Sequence, residues 1–210
     1  MAKYYLNSYR PLIRNRFGRQ ACRKFGHPPF VDASCRREPD FESAFPSITA
    51  ICRVKQFAPR LEVGDSVIYV TTKGSAATGL RHVVAALQVI ARFDSHRAAA
   101  EWYKSMALPV QSNCLVQGNQ PLDIDHTDGG KPPASDLRRW DLTYQLRTRR
   151  CGTFLVCKPL KIELHKPPTI TEQELKSIFG KVPATRTPPA IKRAEFDELA
   201  TWLAIRSRHR

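Results

Sequence analysis

The chain has 210 residues, 42% of them hydrophobic, with 34 Lys/Arg against 19 Asp/Glu and a formal net charge of +15 at pH 7. That length allows one sizeable core or a core with appendages, and no run of eighteen apolar residues exists that could span a membrane as a helix. Residues 1–60 hold 12 Lys/Arg and 4 Asp/Glu, residues 61–135 hold 6 and 7, and residues 136–210 hold 16 and 8. Basic ends around a near-neutral middle suit a folded core that shows a positive face to a polyanion, nucleic acid first among them.

The first thirty-one residues are Arg-rich and lack Asp and Glu, as transit peptides do. Gly18, Gly26 and the Pro28–Pro29 pair break any long amphipathic helix there, and no apolar leader core follows Met1. The expected location is cytoplasmic, with the six cysteines as free thiols. Residues 32–43 read DASCRREPDFES, a dense run of charge around Cys35 and Pro39, flanked by apolar HPPFV and FPSITAICRV. Gly64–Asp65 then turns the chain into Val67–Val70, a β-branched and aromatic run that predicts a buried strand. HVVAALQVIARF reads as a second strand, although its alanines also allow a helix. Next comes DSHRAAAEWYKSM, a helix with Asp94 or Ser95 as its cap.

Residues 107–135 are loop-like, and a loop that long in a compact domain is functional or disordered. Trp140, Leu142, Tyr144 and Leu146 alternate with polar residues as in a half-exposed strand, while Leu137, Trp140 and Tyr144 fit a helix nearly as well. TFLVCKPLKIEL predicts one or two strands interrupted at Pro159. Thr171 and Glu174 form a capping-box signature, and IKRAEFDELATWLAIR predicts a terminal helix after a proline-rich connector. The sum is α+β: a small β-barrel or curled mixed sheet with flanking helices and a C-terminal helix. Residues 1–165 form the core domain, with its basic N-terminal segment, and 166–210 a basic helical extension. Phe196, Leu199 and Trp202 give the terminal helix an apolar face that packs back on the core or docks on a protein partner.

The chemistry-bearing residues weigh against a cofactor or metal. Cys22, His27, Cys35 and Cys52 lack the paired spacing of structural zinc, while Cys52 and Cys157 sit in strand-like runs as buried thiols. Arg36 and Arg37 would lower the Cys35 thiol pKa, and His96 could act as its base, but no local signature of a cysteine enzyme is present. Asp123, Asp125, His126 and Asp128 could gather a hard cation for nuclease chemistry; turn formation explains them equally well. A recognition site needs aromatics to stack bases and polar side chains to read edges or hold phosphates. The candidates with those properties are Arg36, Arg37, Phe45, Trp102, Tyr103, Asn113 and Asn119. Trp102 could equally be the buried face of its helix.

The ordered series DASCRREPDFES, FPSITAICR, FAPRLEVGDSVIYVTTKG, AALQVIARFDSHRAAAEWY and QSNCLVQGN resembles a bacterial and phage family of PUA-like proteins, the nucleotide-modification-associated domain proteins. The turn-strand-loop-strand pattern is also similar to the wider PUA-like group that includes ASCH and EVE domains. The resemblance spans residues 25 to 160 and implies a PUA-like core whose relatives hold nucleic acid or a modified base beside the barrel. It implies a binding module more than an enzyme, acting on DNA in preference to RNA in a modification or defence setting. The implied site comprises Asp32, Ser34, Arg36, Arg37, Asp40, Phe45, Arg53, His96, Trp102 and Asn113. In that site the arginines would meet phosphate or a base edge, Asp32 and Asp40 would orient them, and Phe45 or Trp102 would stack.

Overall fold

The computed structural model describes residues 2–53, 56–74, 80–122, 134–183 and 188–206. Asp123, Asp125, His126 and Asp128 lie outside the described residues. The strands are β1 (Tyr4–Tyr9), β2 (Ser47–Thr49), β3 (Ser66–Thr71), β4 (Arg81–Phe93), β5 (Phe154–Ile162), β6 (Thr169–Ile170) and β7 (Ala190–Ile191). The helices are α1 (Arg16–Phe25), α2 (His96–Ser105), α3 (Ala134–Arg150), α4 (Glu172–Phe179) and α5 (Arg193–Arg206).

The strands form one mixed sheet in the order β2-β5-β4-β3-β1-β7, with β6 added beside the start of β4. Strand β1 runs parallel to β3, and the other pairings are antiparallel. Among the described residues β2 and β7 do not meet, so the architecture is the curled mixed sheet, α+β, and not a closed barrel. HVVAALQVIARF is the long central strand. Pro159, which cannot donate a ladder hydrogen bond, sits in β5 beside a register shift between Ala86 and Leu87.

Side chains alternate across the sheet with the strand period of two. Tyr5, Tyr9, Val67, Tyr69, Leu87 and Val89 face one core, under the segment from Phe30 to Ala58. Leu6, Ile68, Val70, Val83 and Ala86 face the other, which α4 and α5 cover. In α5, Phe196, Leu199 and Leu203 are buried there, and Trp202 Nε1 donates to Thr169 O at 3.1 Å. Burying each of those apolar side chains contributes about 2 kcal/mol. The terminal helix thus places its apolar face on its own sheet. The capping box of α4 is formed, with Thr171 and Glu174 bonded reciprocally.

Residues 134–150 form a helix, where the alternation of Trp140, Leu142, Tyr144 and Leu146 also fits a strand. The helix resolves that alternation into two stripes. Trp140 and Tyr144 stack at 6.2 Å and face inward, whereas Leu142 and Leu146 are 52% and 56% exposed. At the far end of α3, Gly152 lets the chain pass close to the start of α2, since a Cβ there would lie 2.5 Å from Asp94 O. That close approach sets the segment after α3 beside the start of α2.

Candidate functional site

The charged stretch DASCRREPDFES is interior. Asp32, Ser34, Cys35, Arg36, Arg37, Glu38, Asp40 and Phe41 are all buried. So much buried charge survives only if its polar atoms find partners, and most do. The Asp32 carboxylate accepts from its own loop: Ser34 N at 2.9 Å, Glu38 N at 3.0 Å, and the Ser34 hydroxyl. Asp40 accepts from Ser112 N at 3.0 Å and Ser112 Oγ at 2.6 Å. The two aspartates therefore fix backbone, and the partner that orients Arg36 is a different acid.

Arg36 Nε donates to Asp141 Oδ1 of α3 at 2.5 Å, and Nη1 donates to Ser112 O at 3.2 Å and Asn119 O at 3.0 Å. Gln145, one turn on from Asp141, donates to its Oδ2 at 2.8 Å. Arg37, 1% exposed, donates Nη1 to the Asp32 carbonyl, and its Nε lies 3.3 Å from Glu42 Oε2 without aligning as a hydrogen bond. Glu38 accepts from Thr49 N at 2.9 Å, Thr49 Oγ1 at 2.6 Å and Asn113 Nδ2 at 3.1 Å. Asn113 in turn accepts from Ser47 Oγ at 2.7 Å. Burial raises the Asp32 carboxyl to about 6 and the Glu38 carboxyl to about 8.

Around this loop runs the segment 111–122, which QSNC opens. Asn119 Nδ2 braces it by donating to Gln111 O at 2.8 Å and Cys114 O at 2.7 Å, and Leu122 N donates to Cys35 O at 2.9 Å. Gly118 turns the chain at φ +84°, a conformation that favours glycine. His96, at the start of α2, accepts from Leu115 N at Nδ1 over 3.0 Å. Burial, with Arg36 nearby, lowers the imidazole to about 4, so His96 is neutral and carries its proton on Nε2.

Two adjoining depressions lie between α2 and α3, floored by residues 115–120. The first, about 410 Å³, is lined by Arg36, Gln117, Asn119, Gln120, Gln145 and Arg149, among others. The second, about 610 Å³, runs along α2 past His96, Arg97, Ala100 and Lys104. They share Leu115, Val116, Gln117 and Thr148, and so form one groove. Its acids are engaged: Asp141 with Arg36, and Glu101 with Arg97 at 3.1 Å. Arg149 and Lys104 have no acidic partner among the described residues.

The opposite side of the loop faces a much smaller cavity of about 20 Å³, lined by Asn7, Glu38, Thr49, Cys52, Arg53 and Tyr69, among others. Arg53 Nη2 donates to Ser8 O at 2.9 Å. The Tyr69 hydroxyl is buried, and Asn7 approaches it without aligning as a hydrogen bond. Cys52 stands in a turn after β2, not in a strand, and is exposed where the sequence predicts a buried thiol.

Of the ten residues the motif series suggests, Asp32, Ser34, Arg36, Arg37 and Asp40 share the buried loop. Asn113 and His96 pack around it, and Arg36 and His96 reach the groove. Phe45 and Trp102 pair edge to face at 5.7 Å on the other side of α2, in a cluster with Tyr103 and Phe93. Arg53 stands at the small cavity. Glu38, Asp141, Gln145 and Arg149 were not singled out by sequence. Glu38 lies within the quoted motif, and Asp141 is visible only once α3 is known to be a helix.

No family model matches the chain, and no curated protein matches it. Two solved structures are similar to it. ASCH from Zymomonas mobilis matches with a TM-score of 0.41 and 9% identity, over 95% of this chain and 94% of that one. A serine-to-alanine mutant of the same protein matches with a TM-score of 0.40 and 10% identity, over 95% of each chain. Among the described residues no helix is long and apolar enough to cross a membrane, and no three His, Cys, Asp or Glu side chains gather as metal ligands.

Proposed function

We propose that this chain is a nucleic-acid-binding module and that the groove between α2 and α3 holds the strand. The observation that carries the reading is the groove's charge balance. Its acids are engaged by arginines within the protein, while Arg149 and Lys104, on its walls above a floor rich in amides, have no acidic partner among the described residues. Free cations along a groove bind a phosphate backbone, and amide side chains offer both donors and acceptors to base edges. The +8 excess at each end of the chain supports long-range attraction to the same partner. The motif series supports a finer reading: a protein that recognises or accompanies modified bases in DNA, in a modification or defence setting, as a binding module more than an enzyme.

Anisotropy titrations test this with single-stranded DNA, duplex DNA and RNA of one sequence, each with and without modified bases. Binding at low salt is expected, and Arg149→Ala and Lys104→Ala should each lower affinity and reduce the salt slope by roughly one phosphate contact. No binding to any of the polymers at low salt would sink the proposal. Equal affinity for modified and unmodified strands would remove the finer reading alone.

A further inference from the structure

We infer that the 410 Å³ depression is a subsite for one nucleotide unit, its phosphate held by Arg36 and Arg149 and its base lying against Leu115 and Val116; this rests on the nucleic-acid reading above. The first support is the state of Arg36. Three contacts on two of its nitrogens fix the guanidinium plane, and Asp141 is itself clamped by Gln145. Only Nη2 remains uncommitted among the described residues, on a side chain that is 3% exposed and lines the depression. A buried guanidinium held in place with one free nitrogen is a preorganised donor for an anionic oxygen. Arg149, on the same wall, supplies a second guanidinium.

The second support is size and lining. About 410 Å³ lies within the ~300–1,000 Å³ range of small-ligand pockets. That is room for one nucleotide and not for a stacked duplex. Leu115 and Val116 offer an apolar face on which a base can lie. Gln117, Gln120 and Gln145 stand around it as amides for base edges, and Gln145 still has its carbonyl oxygen to offer after its nitrogen donates to Asp141, no donor to that oxygen standing among the described residues. Such a nucleotide would be either a phosphorylated strand end or an internal nucleotide swung out of its stack.

The test titrates the full-length chain with the four deoxynucleoside monophosphates, read by backbone amide shifts at Gln117–Gln120, and by competition against a labelled single strand. Saturable shifts in that loop are expected, and Arg149→Ala should weaken monophosphate binding by roughly tenfold or more. Arg36→Lys keeps the charge and loses the fork, so it should weaken binding while a melting curve shows the fold retained. Nucleosides without phosphate should bind less tightly than monophosphates. A strand with a 5′-phosphate outcompeting its unphosphorylated form assigns the site to strand ends; a single-base bulge outcompeting both assigns it to an extruded nucleotide. If the labelled strand binds but no monophosphate competes and the loop amides stay still, the subsite is wrong and the groove reading stands. If the strand itself does not bind, both are wrong.

Discussion

Arg36 and Glu38 stand two residues apart in one buried loop, and they face different cavities. Asp141 and two carbonyls hold Arg36 against the depression of about 410 Å³. Glu38 faces a cavity of about 20 Å³ and is pushed up to about 8, so near neutrality it is mostly an uncharged acid. Enclosure favours the neutral form of an acid such as Glu38, whereas the Arg36 guanidinium has Asp141 beside it. The comparison separates a binding face from a structural one, and each side can be broken independently.

The largest effect is expected on the enclosed side. Between pH 4.5 and about 8 the folded chain binds a proton at Glu38 that the unfolded chain releases. Stability must therefore fall as pH rises through that interval, by up to about 1.4 kcal/mol per pH unit and on the order of 5 kcal/mol in all. Asp32, raised to about 6, adds a smaller fall of the same sign at lower pH. Glu38→Gln cannot titrate, but its amide nitrogen meets the donors Thr49 and Asn113. The variant should be less stable than the parent at pH 5, by roughly 1–2 kcal/mol, and more stable at pH 8. Urea denaturation across that range checks it: parallel curves for the two proteins would show that Glu38 stays ionised in the fold.

On the groove side the sensitive residue is Asp141. Asp141→Ala leaves the Arg36 guanidinium with two carbonyls and no counter-charge, which should cost about 3 kcal/mol. A loss under ~1 kcal/mol would mean that groove water alone satisfies Arg36, and the pair would then count as a surface ion pair. Replacing both residues, Arg36→Met with Asp141→Leu, should recover much of the stability, because the cost lies in stranding one charge. Monophosphate binding should not return in that double variant.

The sequence shows local features and hides this pairing. The Gly64–Asp65 turn into β3, the cap of α2 and the Thr171–Glu174 box are each specified by adjacent residues, and each is legible there. Even the two motif stretches that build the site, DASCRREPDFES and QSNC, stand out by composition. What composition cannot show is that they grip one another through Asp40–Ser112 and Glu38–Asn113, more than seventy residues apart. Asp32 and Asp40 were the natural partners for the arginines by proximity, yet Arg36 finds its acid 105 residues away. That contact depends on α3 being a helix, since the helical turn sets Asp141 beside Gln145 and turns Tyr144 toward Cys35. The pattern of Trp140 to Leu146 fits two periods, and tertiary burial decides between them.

The smallest expected effect is the most discriminating about the small cavity. Tyr69→Phe removes a buried hydroxyl with no hydrogen-bond partner among the described residues. Deleting an unsatisfied polar atom relieves its desolvation cost, so the variant should be as stable as the parent or more stable by up to ~1 kcal/mol. A cavity of about 20 Å³ with polar walls is also large enough for one water. A water bridging Tyr69 Oη to Glu38 would reverse the sign, and Tyr69→Phe would then cost roughly 1 kcal/mol. It would also shift the Glu38 titration, because the bridge would no longer reach the acid. The same pH series that follows Glu38 reads both quantities. A gain in stability with an unmoved titration marks the cavity as dry, and the enclosed face as one that holds its acid neutral by burial alone.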